Sequence, residues 1–274
     1  MRPHDEASLR AHIDACPMGD TLSEQREGFI ARAGVQPSTG TWTTIGGIDT
    51  LRVGAASAPA LVWFHGGGYV LGSPDTHRVM AAHLASRDVQ VLLPAYPCAP
   101  ECTWPAPLNA ALAVLDDLDN SVALGGDSAG GHLALNAALA RPGRARALAL
   151  ISPNTDRTGS CLTRDRDGDA MNDGAKDAAL WAMVAPELGD DDPQASPHLA
   201  DLRGLSPLHV EAVGTEILLD DTLILTRAAA AAGVQVSAHI APGLMHMHAL
   251  WPDALPQGAE ALDRIARHIH AASP

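Results

Sequence analysis

Ser128 is the residue of this chain best suited to act as a nucleophile. It lies in SVALGGDSAGGHLAL (121–135), where Gly126, Ser128 and Gly130 form G-x-S-x-G between an apolar strand-like run and a helix-like run. The chemistry requires this setting, because the serine must lie on a tight, strained turn with small neighbours. The turn also directs the N–H of Ala129 toward a developing oxyanion. The alternative, a glycine-rich connection with an incidental serine, is disfavoured by the flanking strand and helix.

A second glycine-rich segment, WFHGGGYVLGS (63–73), overlaps and follows another apolar run. Three consecutive glycines are entropically costly unless the backbone must approach another group closely. We therefore expect the N–H groups of Gly67 and Gly68 to join that of Ala129 in an oxyanion hole, with His65 anchoring the loop through hydrogen bonds. A simple loop or a phosphate nest is the alternative, but the segment lacks the lysine of a P-loop.

Four segments together resemble a known family. HGGG (65–68) followed by GDSAGG (126–131) resembles the hormone-sensitive-lipase-type, or family IV, bacterial esterases. YPCAPECTWPA (96–106) resembles the family's Y-R-L-A-P-E-x-x-x-P-A element. ASPHLADLRGLSPLHVEAVG (195–214) resembles its S-P-L-x-A-D-L-x-G-L-P-P segment. The similarity runs from about residue 42 to the C-terminus.

One of these segments departs from the family pattern, since Pro97 and Cys98 stand where arginine and leucine are usual. The resemblance implies an α/β-hydrolase fold with a mostly parallel, eight-stranded sheet flanked by helices. It also implies hydrolysis of carboxylic esters with short acyl chains, or of small lactones. Homodimers packed through the last strand and the last helix are a further implication.

The chemistry also needs a base, because a serine hydroxyl becomes an effective nucleophile only when a histidine takes its proton. In an α/β-hydrolase the order along the chain is serine, acid, histidine, which excludes the histidines that precede Ser128. His246, in APGLMHMHALW, follows the apolar run at 234–242, and the family's G-M-x-H pattern matches residues 243–246 loosely. These observations favour His246 as the base and leave His248 as the alternative.

The acid is expected after the apolar run at 207–214, in VGTEILLDD (213–221). The family places D-P-L-x-D or E-x-L-x-D there, and Glu216 falls on the catalytic position. Asp220 is the alternative acid; its other role would be to cap the helix that follows. Asp127, next to the nucleophile, is expected to support the turn.

The segments that must position these residues alternate between two patterns. Short apolar runs typical of buried strands lie at 60–65, 89–96, 121–126, 147–153, 207–214 and 234–242. Alanine- and leucine-rich runs with helical spacing lie at about 76–87, 106–119, 129–140, 222–232 and 257–271. This alternation predicts an α/β fold with a mostly parallel sheet.

Two regions interrupt the alternation. The first forty residues are helical and polar, and residues from about 154 to 200 are rich in Asp, Gly and Pro. We expect both to form a small cap on a single α/β-hydrolase domain spanning 1–274, because no linker or internal repeat divides the chain.

The bulk composition narrows the range of partners. A formal net charge of −14 would repel phosphate backbones and anionic lipid surfaces, so neither nucleic acid nor a membrane is an expected partner. The charged first residues contain no apolar signal segment, and no apolar run is long enough to span a bilayer, so a cytoplasmic location is expected. Four cysteines without CxxC spacing predict reduced thiols and no zinc site.

No cofactor or metal is expected either. The run DRDGDAMND (165–173) imitates the opening of a calcium loop, but Ala170 and Lys176 stand where glycine and glutamate are needed. The sequence therefore predicts a solvated cap loop there. No GxGxxG, P-loop or metal-binding histidine pair occurs in the required setting.

The sequence thus predicts an esterase in which Ser128 attacks a small-molecule ester, His246 relays the proton, Glu216 orients His246, and water releases the acyl group. Amide hydrolysis or acyl transfer by the same residues is a second enzymatic hypothesis. A non-catalytic small-molecule receptor is a third, because plant gibberellin receptors resemble this family yet lack the working histidine. This chain keeps all three positions of the triad.

Overall fold

The computed structural model describes residues 3–34, 36–118 and 122–273. Its strands are β1 Thr41–Ile45, β2 Ile48–Val53, β3 Ala60–Phe64, β4 Gln90–Pro94, β5 Val122–Asp127, β6 Ala145–Ile151, β7 Leu208–Val213 and β8 Val236–Ala241. They form a sheet in the order β1-β2-β4-β3-β5-β6-β7-β8. β2 pairs antiparallel with β1 and β4, and the other neighbours pair parallel. The predicted mostly parallel, eight-stranded sheet is confirmed.

The α-helices are α1 Glu6–Asp14, α2 Leu22–Ala33, α3 Arg78–Ala85, α4 Ala106–Asp117, α5 Ala129–Ala140, α6 Gly174–Val184, α7 Leu219–Ala231 and α8 Pro256–Ala271. Side chains of α3 and α8 share one apolar cluster with the sheet, and those of α4, α5 and α7 share another. Helices on both faces are what a parallel sheet requires, because both of its faces must be buried. No helix within the described residues has the length and apolar character needed to cross a bilayer.

The six predicted strands correspond to β3 through β8. The first two strands were not predicted, because β1 is mostly solvent-exposed and β2, although half of it is buried, has Asp49, Thr50 and Arg52 among its apolar residues, so neither forms a continuous apolar run. A signal for this hairpin was present in Gly46 and Gly47, which form its two-residue turn with φ of 58° and 78°.

The boundaries of the predicted elements fall close to the observed ones. Residue 119 of the predicted helix at 106–119 and residue 121 of the predicted strand at 121–126 lie outside the described residues, as do residues 1, 2, 35 and 274 of the predicted domain. The four cysteines are free thiols, as predicted.

The parallel part of the sheet sets the position of the candidate site. Gly66 follows β3, Ser128 follows β5, Glu216 follows β7 and His246 lies beyond β8. Because the carboxyl ends of parallel strands meet at the same edge of a sheet, residues distant in sequence are brought to one side of the molecule.

Candidate active site

Ser128 lies on the turn between β5 and α5, in a backbone conformation that L-residues rarely adopt. Its φ is 55° and its ψ is −120°, and its N–H donates to the carbonyl oxygen of Ile151 at 2.9 Å. The close packing of this turn explains the small neighbours, since a Cβ at Gly130 would lie 1.9 Å from the carbonyl oxygen of Phe64. The strained serine conformation is therefore held by its surroundings, which is typical of functional turns.

The loop after β3 presents backbone donors beside the serine. Gly67 adopts a φ of 115°, and a Cβ there would lie 2.4 Å from the carbonyl oxygen of Leu71, so glycine is required. Among the described residues, the N–H groups of Gly67, Gly68 and Ala129 donate to no acceptor. Free N–H groups of this kind are what an oxyanion hole needs.

Asp127 fastens this loop to the serine turn. Its Oδ1 accepts hydrogen bonds from Trp63 Nε1 at 2.9 Å and from His77 Nε2 at 3.0 Å, and its Oδ2 accepts from the N–H of Gly66 at 3.1 Å. Burial would raise the pKa of this carboxyl, but the charge and hydrogen bond of His77 and the bond from Trp63 outweigh burial and lower the pKa. The expected support of the turn by Asp127 thus extends to the glycine loop.

His65 is also part of the scaffold of the glycine loop. Its Nδ1 donates to the carbonyl oxygen of Gly66 at 3.0 Å, and its ring stacks on Tyr96 with centroids 4.1 Å apart. The Tyr96 hydroxyl donates to the carbonyl oxygen of His65 at 2.6 Å. Burial and the nearby charge of His77 lower the pKa of His65 to about 3, so its ring stays neutral and anchors the loop.

His246 and Glu216 form a buried pair. His246 Nδ1 donates to Glu216 Oε2 at 2.7 Å, while Glu216 Oε1 accepts from the N–H of Val213 at 3.0 Å. Burial lowers the pKa of His246, but the hydrogen bond and charge of Glu216, followed by the charges of Asp169 and Asp127, outweigh it and raise the pKa. The opposite ring nitrogen, Nε2, has no partner among the described residues. It is the nitrogen that a general base would use.

The two alternative residues lie in different environments. Asp220 lies in the first turn of α7, and its Oδ2 accepts from the N–H of Leu162 at 2.7 Å; it pairs with no histidine of the described residues. His248 is buried in a short 3₁₀ turn, neither of its ring nitrogens has a partner within the described part of the chain, and burial lowers its pKa to about 4. The structure brings Glu216 to His246 and leaves both alternatives outside this pair.

Ser128 and His246 line the same pocket, with a cavity volume of about 70 Å³. Both expected cap segments contribute to its walls. The other lining residues are Met18, Phe29, Arg32, Gly67, Gly68, Leu71, Met171, Asn172, Lys176, Asp177, Leu180 and Met247. The lining thus combines apolar side chains with the polar or charged Arg32, Asn172, Lys176 and Asp177.

Asp169 is a neighbour of this site that the sequence did not reveal. The segment 165–173 was expected to be a solvated loop, yet the carboxylate of Asp169 accepts from the backbone N–H of His246 at 3.3 Å. Donor atoms of Asp169, Glu216 and His246 lie within 4.8 Å of one another, the one such grouping in the described residues with metal-ligand chemistry. His246 Nδ1 is already hydrogen-bonded to Glu216, so that nitrogen is not free to bind a metal ion.

Comparison with known proteins identifies the family of this chain. A sequence model described as alpha/beta hydrolase fold matches residues 61–250. The chain is 33% identical over 235 residues to an esterase of Acinetobacter venetianus, covering 80% of this chain and 77% of that protein. It is 32% identical over 241 residues to an acetyl-hydrolase of Streptomyces hygroscopicus, covering 82% of this chain and 80% of that protein.

Solved structures agree with the sequence comparisons. The crystal structure of an esterase from the bacterial hormone-sensitive lipase family matches with a TM-score of 0.91 at 30% identity and covers 99% of both chains. A hormone-sensitive lipase from a metagenome library matches with a TM-score of 0.90 at 25% identity, covering 99% of this chain and 100% of that chain. The chain therefore belongs to the α/β-hydrolase family, among the esterases of the hormone-sensitive-lipase type.

Proposed function

We propose that this chain is a serine carboxylic ester hydrolase with Ser128 as nucleophile, His246 as general base and Glu216 as the acid that orients the base. One observation carries the proposal. A buried histidine is bonded through Nδ1 to a buried carboxylate, keeps its Nε2 without a partner, and shares a pocket with a serine on a strained strand-to-helix turn.

The arrangement supports a two-step reaction. Nε2 of His246 takes the hydroxyl proton as Ser128 attacks the ester carbonyl, and Glu216 stabilises the imidazolium that results. The N–H groups of Gly67, Gly68 and Ala129 hold the negatively charged oxygen of the tetrahedral intermediate. The imidazolium then protonates the leaving alcohol, and water, activated by the same histidine, releases the acyl group and restores the serine.

Short-chain acyl esters or small lactones are the proposed substrates. The cavity of about 70 Å³ is small beside the roughly 300–1,000 Å³ of pockets for drug-sized ligands. The apolar part of its walls, which includes Phe29 and Leu180, suits a short hydrocarbon chain. The name of the Streptomyces relative, an acetyl-hydrolase, agrees with a small acyl group.

Ester hydrolysis is favoured over the two other hypotheses. Amide hydrolysis or acyl transfer would use the same residues, and transfer would divert product to added alcohol or amine. A non-catalytic receptor does not require the bond between His246 and Glu216 or a base nitrogen left free. Both features are expected of a working triad.

The test is hydrolysis of p-nitrophenyl acetate and butyrate by purified protein. Ser128→Ala should lower kcat by at least about 10³-fold, whereas the control Ser57→Ala, at an exposed serine, should leave kcat unchanged. Activity should fall from butyrate to decanoate as the acyl chain outgrows the cavity. If the Ser128→Ala variant keeps its activity, the assignment of Ser128 as the nucleophile is wrong.

A further inference from the structure

Asp169 connects the predicted cap segment at 154–200 to the proposed base. Both oxygens of its carboxylate lie 3.3 Å from the backbone nitrogen of His246, and Oδ1 also accepts from the N–H of Met171 at 2.9 Å. Met171 itself lines the pocket that contains Ser128. One carboxylate therefore contacts both a wall of the pocket and the residue that would take the serine proton.

The loop that contains His246 needs such external support. Leu244 and Met247 adopt φ of 68° and 60°, values that are unfavourable for residues other than glycine and persist only where the surroundings impose them. The carbonyl oxygen of Leu244 accepts from Thr215 Oγ1 at 2.8 Å and from Arg10 Nη2 at 3.3 Å. Between these two strained residues, the hydrogen bond that the N–H of His246 donates to Asp169 holds the backbone of His246 itself.

The charges around the imidazole are mostly negative. Glu216, Asp169 and Asp127 raise the pKa of His246, while the neighbouring His248 is neutral near pH 7 because its pKa is about 4. Burial and, less strongly, the charge of Glu216 raise the pKa of Asp169, against the opposing charge of His246. Within the described residues no lysine or arginine forms an ion pair with Asp169 or Glu216. Arg32 and Lys176 line the pocket that contains His246, and Lys176 pairs with Asp173. A proton on His246 would add its positive charge beside both carboxylates, whose oxygens lie within 4.8 Å of a ring nitrogen.

We propose that Asp169 is a positioning residue of the reaction, which fixes the His246 backbone and stabilises the protonated imidazole through its charge. The inference rests on the proposed function, because it concerns the base of that reaction. In the transition state the imidazole carries the proton taken from Ser128, so a second carboxylate lowers the barrier beyond what Glu216 contributes. In the free enzyme the same charge favours the protonated, inactive form of the base.

These two effects predict a pH profile that a purely structural role would not produce. The base must be neutral to act, so kcat/KM falls as the pH drops through the pKa of His246. Asp169→Asn keeps an oxygen for the His246 N–H but removes the charge. We expect the acidic limb of kcat/KM to move to lower pH by about 0.5–1 unit, and kcat at the plateau to fall roughly 3- to 30-fold.

Two further variants complete the experiment. Asp169→Ala should show the same shift of the limb and a further loss of kcat, because the His246 N–H also loses its acceptor. Asp167→Asn is the matched control: Asp167 is exposed, lies in the same acidic run and carries the same charge. Its profile should coincide with that of the unmodified enzyme. If the acidic limb of the kcat/KM profile of Asp169→Asn coincides with that of Asp167→Asn, the inference is wrong.

A readout without turnover separates this inference from the proposed function. In a Ser128→Ala background, the imidazole of His246 can be titrated by NMR, and Asp169→Asn should lower its pKa by the same 0.5–1 unit, about the shift that a neighbouring charge produces. An unchanged pKa contradicts the role of Asp169 even if the triad is correct. Full esterase activity in Ser128→Ala would instead refute the triad, whatever the titration shows.

Discussion

Replacing Glu216 by glutamine tests the acid of the proposed triad. The carboxylate accepts two hydrogen bonds, one at Oε1 from the Val213 N–H and one at Oε2 from His246 Nδ1. Glutamine has a single acceptor oxygen. If that oxygen faces Val213, the amide NH₂ faces His246 Nδ1 and favours the tautomer whose Nε2 is already protonated. If the oxygen faces His246, two N–H donors oppose each other at Val213.

The size of the effect follows from the loss of the correct tautomer and of the charge. Loss of the orienting carboxylate of a triad costs about 10³- to 10⁴-fold in kcat, equivalent to about 4–5.5 kcal/mol of transition-state stabilisation. Asp220→Asn is the matched control, because Asp220 is bonded to Leu162 and not to a histidine. We expect its kcat to stay within about threefold of the unmodified enzyme.

The assay is steady-state hydrolysis of p-nitrophenyl butyrate at pH 7.5–8, with thermal unfolding measured for each variant. Comparable melting temperatures would show that any difference in kcat arises in the site and not from unfolding. If Asp220→Asn loses more activity than Glu216→Gln, the assignment of the acid is reversed.

Three further outcomes are expected. His246→Ala should lose at least about 10³-fold in kcat, while the kcat of His248→Ala stays within about tenfold of that of the unmodified enzyme. The opposite ranking in the same ester assay would assign the role of general base to His248. Asp127→Asn should destabilise the fold by about 2–4 kcal/mol at pH 7, as measured by urea unfolding. Because the folded-state pKa of Asp127 is lowered, this stabilisation is present above the unfolded pKa of about 3.9 and disappears as the pH falls through the folded value; a difference independent of pH would contradict it. Gly130→Ala should prevent normal folding or lower the melting temperature strongly, because its Cβ would overlap the carbonyl oxygen of Phe64; an unchanged melting temperature would disprove the close approach.

The parts of this fold that the sequence predicts are those that a local rule governs. Strands β3 through β7 are predictable because burial on both faces of the sheet requires apolar runs, and most of them are followed by a segment with helical spacing. The edge strand β8 is mostly not buried, and its apolar residues alternate with polar ones. The turn around Ser128 is predictable because close backbone approach admits only glycine at position 130. The first two strands follow a weaker rule, since β1 is an exposed edge strand and β2, which lies between β1 and β4, mixes apolar residues with Asp49, Thr50 and Arg52.

The features of the site that the sequence does not predict depend on contacts between segments that are distant along the chain. Asp169 is one of several similar acids in a mostly exposed run, and it lies 77 positions before His246 with no signal in the sequence of their contact. The choice between His246 and His248 likewise depends on the tertiary fold. Met247, with its left-handed backbone, separates the His246 ring, which bonds to Glu216, from the buried His248 ring, which has no hydrogen-bond partner in the described part of the chain.

Covalent labelling tests the central claim most directly. Diethyl p-nitrophenyl phosphate reacts with serine nucleophiles activated by a histidine, and mass spectrometry of the digested protein locates the adduct. We expect one diethylphosphoryl group per chain on Ser128, no labelling of Ser128→Ala, and much slower labelling of His246→Ala. An adduct on any other residue, or labelling of Ser128→Ala at the rate of the unmodified enzyme, would contradict the proposal that Ser128 is the nucleophile.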